Sequence, residues 1–322
     1  MTQPAVGPAA GSRVQFAQFS GWAALGVVWV VWGSTYLAIR VGDRTIPPLA
    51  MAAVRYLIAG ALLFPVAWLG TRRQPGQPGF PSRAQWAGTA VVGVLLLAFG
   101  NGGVCYAEQT LPSGLAALLV GSVPLWMALA DLAINGHRIR LRGWLALAIG
   151  LAGVGVLAQP RGHADVIPVL VVLGAAMSWG IGSVLAGRVP APASPLLGSG
   201  MQMLAGGAVL AGLAASTGEL SSPVHPSAQS LLAVAYLIGP GSLLALTCYG
   251  IALRRLSTAA VSTYAYVNPV VAVSLGTLVL GEQLTFSAVL GGAAIVASVV
   301  LLLTSRTSDV KSRQAGQGEH GS

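Results

Sequence analysis

Charged residues are scarce in this sequence, and their scarcity excludes most soluble folds. Asp, Glu, Lys and Arg make up 8% of the 322 residues, against roughly 25% in a soluble domain. A very apolar soluble core is the alternative. However, apolar segments of about 20 residues recur along the whole chain, and each is long enough to span a hydrocarbon layer about 30 Å thick. The composition therefore predicts an integral membrane protein.

Residues that carry catalysis or bind metals are also scarce. The two cysteines, Cys105 and Cys248, lie in apolar segments, where small packing residues are a better interpretation than a disulfide or a metal pair. The four histidines lie in predicted loops or in the C-terminal tail. No His-Glu-x-x-His, Cys-x-x-Cys or phosphate-binding glycine-rich motif is present. The sequence therefore predicts a protein that is not an enzyme and that uses no metal or cofactor.

Apolar spans fill most of the chain and predict an all-α integral membrane fold with ten transmembrane helices. The predicted spans are residues 21–39, 48–69, 84–107, 113–133, 143–158, 166–187, 195–215, 228–253, 258–280 and 285–303. Residues 1–20 are predicted to form a cytoplasmic N-terminal tail. Residues 304–322 are polar and rich in Gly, Ser and Gln, which predicts a disordered cytoplasmic tail.

The chain contains one unit twice. At an offset of 145 residues the recurring pairs are Ala107 and Ala252, Leu111 and Leu256, Pro124 and Pro269, and Gly136 and Gly281. At an offset of 147 residues, Trp32-Gly33 recurs as Trp179-Gly180. The repeat divides the chain into residues 21–159 and 165–303, with five predicted spans each. Because a copy with an odd number of spans enters the membrane from the opposite side, the two repeats are predicted to be inverted.

Basic residues set the predicted orientation, because cytoplasmic loops close to spans collect Lys and Arg. With the N-terminus inside, thirteen of the seventeen basic residues are cytoplasmic, three are outside and Arg55 alone lies in a span. Both termini are therefore predicted to be cytoplasmic. This topology accounts for the net charge of +9, so we expect no nucleic-acid partner.

An aromatic stripe marks the first span. Trp29, Trp32 and Tyr36 share one helical face at i, i+3 and i+7, and Thr35 lies beside them. In the second repeat, Trp179 is the counterpart of Trp32. A stripe of this kind is often only a packing feature, and that alternative remains open. The repetition makes Trp32, Thr35, Tyr36 and Trp179 candidate substrate-binding residues.

Arg55 is the one basic residue inside a span, roughly 10 Å from the start of the second span. An Arg at a helix centre costs about 2.5–3.5 kcal/mol on insertion scales. Snorkelling to the bilayer surface is one way to reduce that cost. The other is to face a watery cavity and meet an anionic group. Gln202, the counterpart in the second repeat, is polar but uncharged, and we expect both residues to contact substrate.

Three further polar residues in predicted spans are candidates for substrate binding: Asn101, Tyr264 and Asn268. Tyr264 and Asn268 share a helical face at i, i+4, and their counterparts in the first repeat are Leu119 and Val123. Interhelical hydrogen bonding, worth about 0.6–2 kcal/mol per bond, is the alternative role for each of them.

Glu108 and Glu282 lie at the predicted outer ends of spans and are candidates for gating or coupling. Proton-driven carriers usually place an acidic residue deep in a span, whereas the acidic residues here are all predicted to be peripheral. We therefore expect transport without a dedicated proton-carrying carboxylate. Glu108 is the residue that would overturn this expectation, since it shares a helical face with Asn101 and Cys105.

Taken together, these motifs resemble the EamA-type members of the drug/metabolite transporter superfamily over about residues 21–303. The resemblance rests on Trp-Gly in the first and sixth helices and an Arg-Tyr pair in the second. It also rests on the runs at 112–119 and 123–126, on Asn268-Pro269 and on Gly281-Glu282. One departure is Gly136-His137, where the family often has Gly-Glu. Any role of that acid in the first repeat is therefore in doubt.

The resemblance implies a secondary transporter of the cell (inner) membrane. Such a carrier exports amino acids, related metabolites or amphipathic drugs by alternating access around a midplane site between the repeats. An intramembrane enzyme would need a catalytic pair within a span, and an assembly subunit would need a large polar domain or a lipid-facing polar stripe. Both remain alternatives. The expected partners are a small-molecule substrate and the lipid bilayer, with the chain acting as a monomer or homodimer.

Overall fold

A computed structural model describes the backbone of residues 8–72, 79–136, 139, 141–157, 166–221, 225–256, 258–261 and 263–301. Side chains are described for the same residues except 8–18, 250, 253–254 and 258–259. Every regular element in these ranges is helical. We number the main helices α1 (Pro8–Gly42), α2 (Pro48–Arg72), α3 (Arg83–Ala107), α4 (Ser113–Asn135), α5 (Leu141–Leu157), α6 (Val166–Leu185), α7 (Pro195–Ser216), α8 (Ala228–Ile238, continued by Gly239–Leu244 and Ala245–Arg255), α9 (Tyr264–Leu280) and α10 (Phe286–Leu301).

Seven of the described helices are long and apolar enough to cross a membrane: α1, α2, α3, α4, α6, α7 and α8. The other three, α5, α9 and α10, are apolar but shorter. Large apolar side chains lie on the outside of the bundle; Leu232, Leu278 and Phe286 are 71%, 82% and 82% exposed. A surface of this kind suits lipid rather than water. The expected all-helical membrane architecture is therefore confirmed for the described residues.

Local sequence explains where the helices begin and end. Ser82 and Gln85 form a reciprocal capping box at the start of α3, and the Ser194 hydroxyl accepts from the Leu197 N–H at the start of α7. The helices α4 and α9 both end at glycines with positive φ, Gly136 at 67° and Gly281 at 68°. These two glycines are repeat counterparts, so the same left-handed cap closes the same helix in each repeat.

The first and ninth predicted spans differ from the structure. The helix α1 begins at Pro8, within the stretch predicted to be a tail, because proline suits the first helical turn and no later proline interrupts the helix. The ninth span is divided into a short helix, Thr258–Val261, and α9. Beside the break, the Thr263 hydroxyl donates to the Ala260 carbonyl at 2.6 Å and competes with the helix ladder.

Several expectations concern residues outside the described ranges. They include His137, the basic residues Arg73, Arg138, Arg140 and Arg161, and the tail at 304–322.

A π-helical segment interrupts the third helix of each repeat. In α3 it spans Val94–Asn101, and in α8 it spans Gly239–Leu244. The two segments start 145 residues apart, at the offset of the sequence repeat. Pro240, which has no N–H, lies in the second segment. π segments widen a helix and often occur at functional sites. The part of the bundle between these two segments is therefore a candidate binding site.

The helices α2 and α7 are repeat counterparts and pack along each other through reciprocal glycines. A Cβ added at Gly60 would lie 2.9 Å from Leu204 Cγ, and a Cβ added at Gly207 would lie 3.0 Å from Leu57 Cγ. Gly60 corresponds to Gly207, and Leu57 corresponds to Leu204. The two contacts are therefore equivalent: Gly60 on α2 packs against Leu204 on α7, and Gly207 on α7 packs against Leu57 on α2.

A second pair of equivalent contacts joins α1 to α9 and, at the matching positions of the repeat, α6 to α4. A Cβ at Gly33 would lie 2.6 Å from Val271 Cβ, and a Cβ at Gly180 would lie 2.8 Å from Trp126 Cβ. Small residues at such interfaces let helix backbones approach closely, which is the main attraction between helices in lipid. The Trp-Gly pairs noted in the sequence therefore mark two equivalent helix contacts.

Four acidic residues, Asp43, Glu108, Glu219 and Glu282, lie at one end of the bundle, which we call the carboxylate end. Here α1 and α3 stop and α2 and α4 begin. The contacts agree: Glu219 Oε2 accepts from the Ala50 N–H at 2.9 Å, and Glu282 bonds to Ser113. The opposite, arginine end carries Arg72, Arg83, Arg188 and Arg255.

The reciprocal glycine packing predicts where a larger side chain is tolerated. Gly207→Val places a side chain against Leu57, and overpacking of this kind costs about 1–3 kcal/mol. We expect a lower melting temperature for the purified variant in detergent. Gly212→Val, on the same helix and with open space around it, is the matched control. Equal melting temperatures for the two variants would contradict the predicted contact.

Candidate functional site

Arg55 lies inside the bundle, between the two π segments. Its side chain is 4% exposed. Its Nε donates to Ser242 Oγ at 3.0 Å, and its Nη1 donates to Asn101 Oδ1 at 3.3 Å. Asn101 ends the π segment of α3, and Ser242 lies in that of α8. The guanidinium therefore links the two repeats and does not reach the bilayer surface, which excludes the snorkelling alternative.

The partners of Arg55 are neutral. Besides Ser242 and Asn101, its guanidinium lies over the Tyr56 ring, 4.8 Å from the centroid. Within the described ranges no carboxylate lies at ion-pair distance from it. Buried charges in proteins are normally paired, since leaving one unpaired in a medium of low dielectric constant is costly. The site therefore favours an anionic group at this position.

Three aromatic rings form a cluster near Arg55 and the two π segments. The Trp32 ring centroid is 5.3 Å from those of both Tyr249 and Tyr264, and the two tyrosines are 5.9 Å apart in an edge-on arrangement. They come from α1, α8 and α9, so the cluster joins the two repeats. Such a group of rings offers an apolar surface and, through the ring faces, attraction for a cation.

Thr35 connects the aromatic cluster with Arg55. Its hydroxyl donates to the Trp32 carbonyl at 2.6 Å, and its side chain is 7% exposed. A Cβ added at Gly241 would lie 3.2 Å from Thr35 Cγ2 and 3.7 Å from Arg55 Nη2. Thr35, Gly241 and Arg55 are therefore neighbours, one helical turn from the rings. Tyr36 follows Thr35 on α1 and is half-buried.

The other three predicted binding residues, Trp179, Gln202 and Asn268, each contact a different part of the bundle. Trp179 lies against Gly100, where an added Cβ would be 3.0 Å from its Cε3 atom. Gln202 is half-buried on α7 beside Gly93, and no described hydrogen bond joins it to Arg55. The Asn268 amide, oriented so that its nitrogen donates, reaches the carbonyls of Trp29 at 3.2 Å and Tyr264 at 3.3 Å. Asn268 therefore holds α1 against α9, as the interhelical alternative expected.

Glu282 caps the start of α4. Its Oε1 accepts from the Ser113 N–H at 2.7 Å and from the Ser113 hydroxyl at 2.9 Å, and its Oε2 accepts from the Gly114 N–H at 3.0 Å. Glu219 similarly accepts from Ala50 near the start of α2. Both carboxylates belong to the second repeat and both capped helices to the first. The carboxylate end is therefore held together by charge-assisted bonds at helix N-termini, where a negative charge is favoured.

Glu108 lies directly after the last residue of α3, at the predicted outer end of its span, but it is not solvated there. Its side chain is completely buried, because α3 ends among α1, α4 and the segment after α9. Its two carboxylate oxygens, and the two of Asp43, are buried without a hydrogen-bond partner in the described part of the chain. Arg40 donates to the Glu108 backbone carbonyl. A cavity of about 440 Å³ adjoins this group and is lined by Arg40, Asp43, Arg44, Gln109, Pro112, Leu280 and Glu282.

Sequence reasoning missed Ser242, Tyr249 and Asp43 as site residues. Ser242 had a visible signal, since Gly239-Pro240-Gly241 interrupts an apolar span directly before it. Tyr249 is one of several further polar residues in the predicted spans, and nothing in its spacing distinguishes it from the others. Asp43 lies in a turn, where a solvated carboxylate is the ordinary expectation.

A family model covers most of the chain. The model of the EamA-like transporter family matches residues 20–159 and, a second time, residues 166–304. A solved crystal structure superimposes with a TM-score of 0.58 and 23% sequence identity, over 89% of this chain and 96% of that one. At this identity, the superposition supports the fold alone.

Several curated relatives of the chain are transporters by name. The uncharacterized inner membrane transporter YedA of Escherichia coli (strain K12) is 40% identical over 87% of this chain and 89% of its own length. A probable terminal-alkyne amino-acid exporter of Streptantibioticus cattleyicolor is 29% identical over 87% and 92%. A probable amino-acid metabolite efflux pump of Salmonella typhimurium is 25% identical over 87% and 93%.

The Glu282 cap gives a stability prediction. Glu282→Ala removes the acceptor of three hydrogen bonds, and loss of a helix N-terminal cap costs about 0.5–2 kcal/mol. We expect a lower melting temperature in detergent. Gln283→Ala changes the exposed next residue and is the control that should leave the melting temperature unchanged. A Glu282→Ala protein as stable as this control would show that the cap contributes nothing.

Proposed function

This chain belongs to the EamA-like transporter family, and from that premise we propose that it exports small metabolites with a carboxylate group, such as amino acids or their derivatives. The proposed site lies between the repeats and includes Trp32, Thr35, Tyr36, Arg55, Asn101 and Tyr264, with Ser242 and Tyr249 added from the geometry. Trp179 and Gln202 would line the other side of the path, and Asn268 would position Tyr264.

The observation that carries this proposal is the buried, unpaired guanidinium of Arg55. A substrate carboxylate would supply the anion that the neutral partners Ser242 and Asn101 do not. The planar guanidinium matches a carboxylate in a two-bond geometry, which a lysine ammonium cannot reproduce. Binding there would neutralise a charge that otherwise costs energy inside the bundle.

The aromatic cluster suits the remainder of such a substrate. The rings of Trp32, Tyr249 and Tyr264 lie about one turn along α1 from Thr35 and Arg55. They can bury an apolar side chain or hold an ammonium group by cation–π attraction. The names of two relatives, an amino-acid metabolite efflux pump and a terminal-alkyne amino-acid exporter, support this substrate class. Amphipathic drugs without a carboxylate would leave Arg55 unpaired and are the less favoured substrate.

We further propose that all ten helices cross the bilayer as two inverted five-helix repeats. The reciprocal contacts of Gly60 and Gly207, and of Gly33 and Gly180, support a two-fold relation between the repeats. Inverted repeats give two conformations of similar energy that open to opposite sides of a central site. Alternating access then moves the substrate past Arg55.

The proposed orientation places both termini in the cytoplasm and the carboxylate end outside the cell membrane. The arginine end then lies in the cytoplasm, as the distribution of basic residues requires. The name of the relative YedA supports an inner-membrane location.

A transport assay tests the role of Arg55. Proteoliposomes are loaded with radiolabelled neutral amino acids or with the amines formed by their decarboxylation, for example leucine and isoamylamine. We expect efflux of the amino acid to exceed that of the amine and to fall by roughly 10-fold or more in Arg55→Gln, since a charged hydrogen bond contributes about 1.5–3 kcal/mol. Arg55→Lys should recover little.

The control for this assay is Arg83→Gln, a change of the same kind at the arginine end. It should transport like the parent protein. Normal efflux of amino acids by a well-inserted Arg55→Gln protein would contradict the proposed contact.

Thiol labelling tests the orientation. In a background without Cys105 and Cys248, Ser221→Cys at the carboxylate end should react with a membrane-impermeant reagent in intact cells. Gly79→Cys at the arginine end should react only after the cells are permeabilised. Labelling of Gly79→Cys in intact cells would reverse the proposed topology.

A further inference from the structure

We propose that Glu108 and Asp43 together bind one exchangeable proton, and that uptake of this proton accompanies closure of the carboxylate end. The inference rests on the proposed alternating access, because it concerns the state in which this end is closed. It adds a proton-binding site to a carrier whose substrate site lies elsewhere, at Arg55.

Burial without partners is the first argument. Glu108 is completely buried, and neither its carboxylate oxygens nor those of Asp43 have a hydrogen-bond partner in the described part of the chain. An ionised carboxylate in such surroundings loses its hydration and gains nothing in exchange. The cost is larger if two neighbouring carboxylates are both ionised, so one of them holds a proton.

The surrounding charges set the number of protons at one. Arg40 is the cation that acts on both carboxylates, and it also binds the Glu108 carbonyl. Arg44 lines the same cavity but is exposed to solvent, which screens its charge. Glu282 faces Glu108 and Glu219 faces Asp43, but both already accept hydrogen bonds from helix N–H groups. The other titratable neighbours, Tyr36 and Cys105, are neutral when protonated. One cation therefore balances one of the two carboxylates, and a proton neutralises the other.

In the described part of the chain, the cavity next to this pair lies on the side of Asp43. Asp43 lines the cavity of about 440 Å³ at the carboxylate end, together with Arg40 and Glu282, whereas Glu108 does not line it. A proton that arrives from this cavity would therefore meet Asp43 before Glu108. The repeat counterparts of Asp43 and Glu108 are Pro190 and Leu253, so the arginine end has no equivalent site.

The pKa values of Asp43 and Glu108 agree with a proton shared by the two carboxylates. Both residues follow the ends of spans and lie outside them. Burial raises the pKa of Asp43 to about 8, with Arg40 lowering it and Glu219 raising it. Burial, Asp43 and Glu282 raise the pKa of Glu108 well above its usual range, against the effect of Arg40. The pair titrates as one unit, and hydration in an open state would return both groups towards ordinary values.

Linkage gives the direction of the effect. A proton binds more tightly to the closed state, in which the carboxylates are dry, than to an open state in which water reaches them. Acid pH at the carboxylate end therefore favours closure, and alkaline pH favours opening. Glu108 also lies on the same face of α3 as Cys105 and Asn101, and Cys105 Sγ is 3.6 Å from Asn101 Oδ1. Opening at Glu108 is thus communicated along α3 towards Arg55.

Infrared spectroscopy tests proton binding without any substrate. The protein is titrated in vesicles of phosphatidylethanolamine and phosphatidylglycerol while the carbonyl stretch of protonated carboxylic acids is followed. We expect a band that disappears with a midpoint well above the ordinary carboxyl range. In Glu108→Gln the midpoint should fall by at least about one unit, because Arg40 then balances Asp43 alone. Glu219→Gln, at the same end, should retain the band. Absence of such a band, or an unchanged midpoint in Glu108→Gln, would overturn the proposal.

A second variant, Asp43→Asn, keeps the proposal testable if Glu108→Gln does not fold. Asp43→Asn removes the like charge beside Glu108, so the band should remain and its midpoint should fall by about one unit, a tenfold change in proton affinity. An unchanged midpoint would show that the two carboxylates do not interact and would also overturn the proposal.

Labelling of Cys105 tests the link to closure. Cys105 is 1% exposed and lies one turn before Glu108. In a Cys248→Ser background, its rate of reaction with a methanethiosulfonate reagent should rise about tenfold more between about pH 6 and about pH 9 than in Glu108→Gln. The charge on Glu108 would by itself disfavour the thiolate, so a steeper rise in the parent reports opening. Equal pH profiles would overturn the link.

These outcomes are separate from the transport assays. A pH-dependent band whose midpoint depends on Glu108, found in a protein for which Arg55→Gln has no effect on efflux, would leave the proton site standing and remove the proposed substrate contact.

Discussion

In a bilayer, a polar group must find its partner inside the protein, and this constraint underlies every feature described here. It makes each regular element in the described ranges a helix, because a helix satisfies its own backbone. It also leaves few polar side chains in the spans, and several of them are bonded to one another or to backbone carbonyls. Arg55 with Ser242 and Asn101, and Asn268 with two carbonyls, are examples. Departures from the rule are therefore informative.

The two π segments show how the bundle makes room for polar groups. Each widens the third helix of its repeat at the same position, and together they supply the hydroxyl and the amide that hold the guanidinium of Arg55. The remaining interfaces are closed by glycines against leucine, valine or tryptophan. Because the attraction between helices in lipid depends on such close contact, these small-residue contacts hold the two repeats together.

The two ends of the bundle are chemically different although the repeats share one fold. At the carboxylate end, Glu219 and Glu282 cap helices of the other repeat. Their repeat counterparts in the sequence are Arg72 and His137, and neither has a carboxylate to accept bonds from helix N–H groups. The departure of His137 from the family pattern therefore removes an acid that its counterpart uses as a cap. The sequence repeat gives the chain two equivalent halves, and a few acidic residues distinguish its two sides.

The sequence alone determined the class of the protein, the bounds of most helices and the division into two repeats, since these depend on apolar runs and on a fixed offset between matching residues. It also identified Arg55, because a charge within a span is rare for a physical reason. The partners of Arg55, the ring contacts of Tyr249 and the burial of Glu108 were decided only by the tertiary structure. Each depends on how helices distant in the sequence are rotated and how deeply they lie against one another. Spacing along one helix shows which residues share a face, but only packing shows whether that face meets water, lipid or another polar group.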